Sequence, residues 1–170
     1  MRDIARRFVH ALTGTLFVLS LSLTSSHAFA QSPGSDQDPL FGTWRLDLSK
    51  SKYVPGPPPR GETRTYTRDA QGVKGQIDRH YADGRREVID YRADADHDSP
   101  VSGTQAYDAI RFKRVDRYTT EAVLSHAGRV WGTARRVLSE NGETLTIVFR
   151  RFEPGDMVSN VAVYSKVRPK

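Results

Sequence analysis

The sequence predicts an all-β domain: one antiparallel up-and-down meander of about nine strands that closes into a barrel. Three observations predict it. Short runs rich in Val, Tyr, Thr and Phe alternate apolar with polar side chains along most of the chain after residue 40, which is the period of a half-buried strand. Turn-forming pairs, Asp83-Gly84 and Asn141-Gly142 above all, fall between these runs. Asx-Gly in that setting signals a hairpin, because both central positions of a type I′ turn need positive φ. Finally, no segment after residue 30 carries helical periodicity. The best stretch, Thr119–Leu124, is short and bounded by turns.

The first thirty residues stand apart. Arg2, Arg6 and Arg7 precede an apolar run from Phe8 to about Leu23, and Ala28-Phe29-Ala30 offers a small-x-small cleavage site before the polar Gln31. That order reads as a secretory signal peptide. As a membrane anchor it is interrupted by Ser and Thr and shorter than the roughly 20 residues a span needs. Export places the mature chain in the periplasm or outside the cell, with no stable membrane insertion after cleavage. Removing residues 1–30 takes three Arg and one Asp from the 26 Lys+Arg and 20 Asp+Glu of the 170-residue chain, and leaves 140 residues with a formal charge of +4. This is the size of one domain with a real core. The charge is modest and acidic residues are interspersed, as on a surface built for solubility rather than for nucleic acid. The chain has no Cys, which excludes a thiolate metal site, an iron–sulfur cluster, a cysteine nucleophile and a lipidated cysteine at the cleavage site.

The elements follow in order. Residues 31–40, with Pro33, Gly34, Asp36 and Asp38, read as a disordered arm, and the domain runs from 41 to 170. The first strand is Phe41–Leu48, with Trp44, Leu46 and Leu48 on one face and Thr43, Arg45 and Asp47 on the other. Ser49–Gly61 holds Pro55 and the run Pro57-Pro58-Pro59, which cannot donate to a ladder and reads as a stiff connector across one end of the sheet. Strands at Glu62–Arg68, Val73–His80 and Arg86–Ala93 follow, joined at Asp69-Ala70-Gln71-Gly72 and Asp83-Gly84. Asp94–Tyr107 is a second long connection. The meander then resumes with Asp108–Val115, Tyr118–Ser125, Arg129–Leu138, Glu143–Phe152 and Val158–Val167. Their turns are Asp116-Arg117, Ala127-Gly128, Asn141-Gly142 and Pro154-Gly155-Asp156. Sequence neighbours joined by tight turns pair antiparallel. Closing the meander removes its two exposed edges; a flattened two-sheet sandwich is the alternative.

Phe41-Gly42-Thr43-Trp44 followed by such a meander resembles the start of lipocalins and related calycin barrels, in which a Gly-x-Trp on the first strand plugs the closed end. More of the chain resembles a group of small exported bacterial lipocalin-like proteins of uncharacterised function. The matching pieces are Gly42-Thr43-Trp44-Arg45-Leu46, Ser49-Lys50-Ser51-Lys52-Tyr53, Gly56-Pro57-Pro58-Pro59, Pro100-Val101-Ser102-Gly103, Lys113-Arg114-Val115-Asp116 and Asn160-Val161-Ala162-Val163-Tyr164. The group itself implies no activity. The wider class implies carriage of a small apolar molecule, with Gly42 and Trp44 as the plug. The proline-rich link after the first strand departs from the usual simple turn.

Tyr66, Tyr91, Phe112, Trp131 and Tyr164 lie within strands and are the candidate ligand-binding residues, since such sites are apolar with a few placed polar groups. Phe149 shares a face with Leu145 and Ile147, and Ile110 with Phe112, as core positions. Arg135 or Arg150 is a candidate cation–π partner for Trp44. Asp94, Asp96 and Asp98 hint at calcium. A helix–loop–helix calcium loop wants Gly sixth and Glu twelfth, whereas this chain has Ser99 and Gln105 there. His80, His97 and His126 lack the close spacing of a preformed zinc site. Nucleophile elbows and glycine-rich phosphate loops are missing, so the sequence names no catalytic residue, metal or cofactor. Glu121 and Asp90, inside strands, are the carboxylates to inspect for a perturbed environment. Three functions follow. The first is a non-catalytic exported barrel binding a small apolar or amphipathic ligand. The second is a solid-cored interaction module of the cell envelope. The third is a barrel-cavity isomerase or hydrolase.

Overall fold

Eleven strands occur among the described residues of the computed structural model, which are 38–69, 72–93, 97–153 and 156–168. They are β1 (Gly42–Leu46), β2 (Lys52–Val54), β3 (Gly61–Asp69), β4 (Gly72–His80), β5 (Arg86–Ala93), β6 (Ser99–Ser102), β7 (Ala109–Arg114), β8 (Thr119–His126), β9 (Arg129–Leu138), β10 (Thr144–Glu153) and β11 (Asp156–Val167). Pairing runs β1-β3-β4-β5-β6-β7-β8-β9-β10-β11, and β11 returns to β1. Every pair is antiparallel. The result is a closed ten-stranded barrel without an α-helix among the described residues, a fold compatible with a lipocalin-like barrel. The eleventh strand, β2, continues the row of β1 along the far half of β11, with Tyr53 opposite Asn160.

Two expectations change. The first strand stops at Leu46, and Leu48–Lys50 forms one 3₁₀ turn capped by the Asp47 carboxylate, which accepts from Ser49 N–H at 3.1 Å. Leu48 is therefore exposed rather than on the face of Trp44. Both long connections also contain a short strand, β2 and β6, and β6 raises the barrel from about nine strands to ten. β6 is held by two pairs on each side, Asp90 with Ser102 and Tyr91 with Val101, then Ser99 with Ile110 and Pro100 with Ala109. So short a strand around a proline leaves little periodic trace.

The turns differ in kind. Only Ala127-Gly128 has positive φ at both positions, at 48° and 74°, the type I′ pattern. At Asp83-Gly84 only the glycine is left-handed, and the loop closes between Tyr81 N–H and the Arg85 carbonyl at 2.9 Å. Asn141-Gly142 belongs to a wider loop that closes between Ser139 N–H and the Thr144 carbonyl, with the Asn141 amide oxygen accepting from Glu143 N–H. Asp69-Ala70-Gln71-Gly72 and Pro154-Gly155-Asp156 lie in part outside the described residues.

β1 begins at one end of the barrel, where the chain enters at Leu40 and the β9–β10 loop packs near Pro39. Trp44 is 0% exposed there, and its indole N–H donates to the Leu40 carbonyl at 2.8 Å. Leu138 and Leu145, paired across β9 and β10, are buried with it. Gly42 has φ +123°, and a Cβ there would lie 3.2 Å from Lys166 Cε. Lys166 crosses at that point to place its ammonium 5.1 Å from the Trp44 ring and to donate to the Pro39 carbonyl at 2.9 Å. The cation over Trp44 is thus Lys166; Arg135 and Arg150 both face solvent.

Candidate functional site

Toward the other end the barrel is hollow. A cavity of about 280 Å³ is lined by Tyr91, Tyr107, Phe112, Trp131, Phe149 and Tyr164 among its rings, and by Tyr53, Pro57 and Pro59 from the connector after β1. Of the five candidate ligand-binding residues, Tyr91, Phe112, Trp131 and Tyr164 line this space and Tyr66 does not. Tyr66 is fully buried beside it. Trp44 and Gly42 sit at the filled end, away from the lining. The rings form two groups: Tyr91 against Phe112 at 5.6 Å, and Trp131 between Tyr107 at 5.2 Å and Phe149 at 5.4 Å, centroid to centroid.

Local backbone features place two of these rings. The β8–β9 ladder pairs Leu124 with Gly132 and Ser125 with Val130, so Trp131 is the extra residue of a bulge. A bulge re-aims the side chain it inserts, here into the cavity beside Gly132. A Cβ on Gly132 would meet the Phe149 ring at 2.9 Å, so the glycine leaves Phe149 its place. Gly75 pairs with Tyr66 on one side and Tyr91 on the other. A Cβ there would meet the Tyr91 ring at 2.3 Å, so Tyr91 lies flat across a residue with no side chain.

The lining also carries four arginines, Arg64, Arg79, Arg136 and Arg151, and one carboxylate, Glu62. Glu62 and Arg64 share Tyr66's face by strand alternation, and Arg79 stands directly opposite Glu62 in the register. The Glu62 side chain is 1% exposed and is gripped by three groups. It accepts from Arg64 Nε and Arg79 Nε, each at 2.5 Å, and from the Tyr164 hydroxyl at 2.7 Å. Burial alone would raise its pKa, but the charges of Arg64 and Arg79 and the Tyr164 hydrogen bond outweigh it and hold the carboxyl at about 2. Glu62 therefore stays ionised at neutral pH. At the rim, Tyr81 donates to Glu87 at 2.6 Å, while the Arg85 guanidinium lies 4.3 Å from the Tyr81 ring.

Arg136 is different. It is 6% exposed and lies between two rings, 4.1 Å from the Phe112 centroid and 5.3 Å from that of Tyr66. Its Nε and Nη1 are buried without a hydrogen-bond partner, and so is the neighbouring Tyr66 hydroxyl. No ion pair reaches Arg136 among the described residues. Burial would raise the Tyr66 pKa, yet the nearby Arg136 and Arg64 charges bring it down.

The remaining candidates lie elsewhere. Glu121 is on the outer surface, paired with Arg135 at 2.9 Å, and Asp90 accepts from Gln76 at 2.9 Å; the buried carboxylate is Glu62. Asp94 and Asp96 lie outside the described residues, and Asp98 pairs with Arg111. His80 contacts Asp78 at 3.2 Å and His126 approaches Asp108 at 3.9 Å. His97 is exposed. No group of three metal-ligating side chains assembles among the described residues. Sequence reasoning missed Glu62, Arg64, Arg79 and Arg136, although the alternation that turned Tyr66 inward carries Glu62 and Arg64 with it. No protein-family model matches the chain, and no curated protein matches it.

Proposed function

We propose that the protein is an exported, non-catalytic β-barrel that binds one small amphipathic molecule in its cavity, in the manner of the wider lipocalin class that the start of its barrel resembles. The observation that carries this is the cavity of about 280 Å³ inside an otherwise packed barrel, lined by stacked rings and a few placed polar groups. Ligand pockets start near 300 Å³ and have this lining, and a solid-cored interaction module has no use for such a space. Catalysis is disfavoured by Glu62. A carboxyl held at about 2 by two guanidiniums is a poor proton acceptor and cannot donate at neutral pH. The Arg-flanked apolar leader ending at Ala28-Phe29-Ala30 supports export.

The test is titration with N-phenyl-1-naphthylamine, a neutral fluorescent probe. The proposal expects saturable one-to-one fluorescence enhancement that falls at least tenfold in affinity in Ala134→Trp, which fills the cavity from its wall. The absence of saturable binding, or equal binding by the folded variant, rejects it. N-terminal sequencing of the secreted chain is expected to begin at Gln31.

A further inference from the structure

We infer that the cavity selects ligands bearing a carboxylate on a flat aromatic body, and that Arg136 is the residue that reads the carboxylate. The inference rests on the cavity being a ligand site. A guanidinium cannot shed its proton in a protein, so Arg136 is a permanent charge in a place that is 6% exposed. Burying a charge without a partner is costly. The faces of Phe112 and Tyr66 offset part of that cost, but a ring face accepts no hydrogen bond from Nε or Nη1. Water can accept a hydrogen bond but brings no opposite charge.

The lining carries four arginines against one carboxylate, so the cavity as a whole favours an anion. Glu62 is shared by Arg64, Arg79 and Tyr164 and has no attraction left for Arg136. The Tyr66 hydroxyl faces Arg136 and Arg64 but makes no hydrogen bond of normal geometry with either. An ionised acceptor takes a charge-assisted hydrogen bond from a buried guanidinium nitrogen, and a planar carboxylate suits the donor edges of Arg better than those of Lys. The body attached to that carboxylate faces two ring pairs, Tyr91 with Phe112 and Trp131 with Phe149, which favour a flat aromatic partner by offset stacking. The volume of about 280 Å³ suits one or two fused rings rather than a long acyl chain.

The test compares 2-naphthoate with its neutral isostere 2-naphthamide, in competition with N-phenyl-1-naphthylamine. The wild-type chain is expected to bind naphthoate at least tenfold more tightly, a difference of about 1.4 kcal/mol. In Arg136→Met that preference falls to about onefold while the neutral probe still binds. Arg136→Lys, which keeps the charge and loses the planar donors, retains part of it. Equal affinities in the wild type, or an undiminished preference in Arg136→Met, overturn the inference and leave the cavity a neutral ligand site. If the neutral probe itself does not bind, the cavity reading fails and this inference with it. Should Arg136→Met not fold, thermal shifts decide on the wild type: naphthoate must raise the midpoint well above naphthamide at equal concentration, and equal shifts reject the role.

Discussion

Trp44 at the filled end and Arg136 by the cavity are both almost completely removed from solvent. The one polar side-chain atom of Trp44 donates to the Leu40 carbonyl; its ring belongs to the same buried cluster as Leu138 and Leu145, with the Lys166 ammonium over it. Arg136 has two buried nitrogens with no acceptor. The difference separates two uses of burial. At the filled end, apolar area and satisfied hydrogen bonds hold the barrel shut. In the cavity half, charge is kept in a low-dielectric wall, where Glu62 and Glu87 together offset Arg64 and Arg79 but no carboxylate among the described residues reaches Arg136. A group whose polar atoms are all satisfied stabilises the fold; one left open costs stability and gains meaning only through a partner.

Four perturbations sharpen the contrast, from the largest expected effect downward. Trp44→Ala should lower unfolding free energy by about 3–5 kcal/mol in a urea titration, as large aromatic core truncations do. Loss of ligand affinity should follow only through loosened folding. A stably folded Trp44→Ala chain that has lost binding alone would move Trp44 into the site.

Acid should attack the Glu62 cluster next. Its folded pKa of about 2 lies below the ordinary glutamate value of 4.5, so the unfolded chain binds the proton first. The stability it contributes is fully present above about pH 4.5 and is lost as the pH falls toward 2. The span is on the order of 3 kcal/mol. The check is the pH dependence of the urea midpoint, which should flatten over that window in Glu62→Gln while absolute stability drops. An unchanged slope would show that Glu62 is not the group titrating.

Gly75→Ala should cost about 1–3 kcal/mol, because the added methyl meets the Tyr91 ring at 2.3 Å and must displace it. The same variant should weaken binding of the neutral probe, since Tyr91 lines the cavity. Glu121→Gln is the counter-case. Its pair with Arg135 is half-exposed on both sides, so thermal melts should move by no more than about 0.5 kcal/mol.

Much of the architecture was legible in the chain. Alternation along Thr144–Glu153 turns Leu145, Ile147 and Phe149 inward together, and the turn pairs set the order of the meander. β2 and β6 were not legible, because β2 ends against Pro55, β6 contains Pro100, and each is too short to establish a period. The aromatic half of the site could be read because rings inside alternating strands mark the buried face. Its charged half could not. Glu, Arg and Asp in a strand ordinarily mark the wet face, and burial of charge needs a partner that only pairing supplies. Glu62 finds Arg79 through the β3–β4 register and Tyr164 on β11 through barrel closure. Arg136 had one local sign, since it lies two residues from both Ala134 and Leu138 on one face.

The most direct measurement is the stability of Arg136→Met in the absence of ligand, by urea unfolding at neutral pH. The variant is expected to be at least as stable as the wild type, by up to about 2 kcal/mol, because it removes a buried charge without an ion-pair partner and keeps an apolar side chain between Phe112 and Tyr66. A loss of several kcal/mol would contradict it and make the Arg136 guanidinium a structural member of the core.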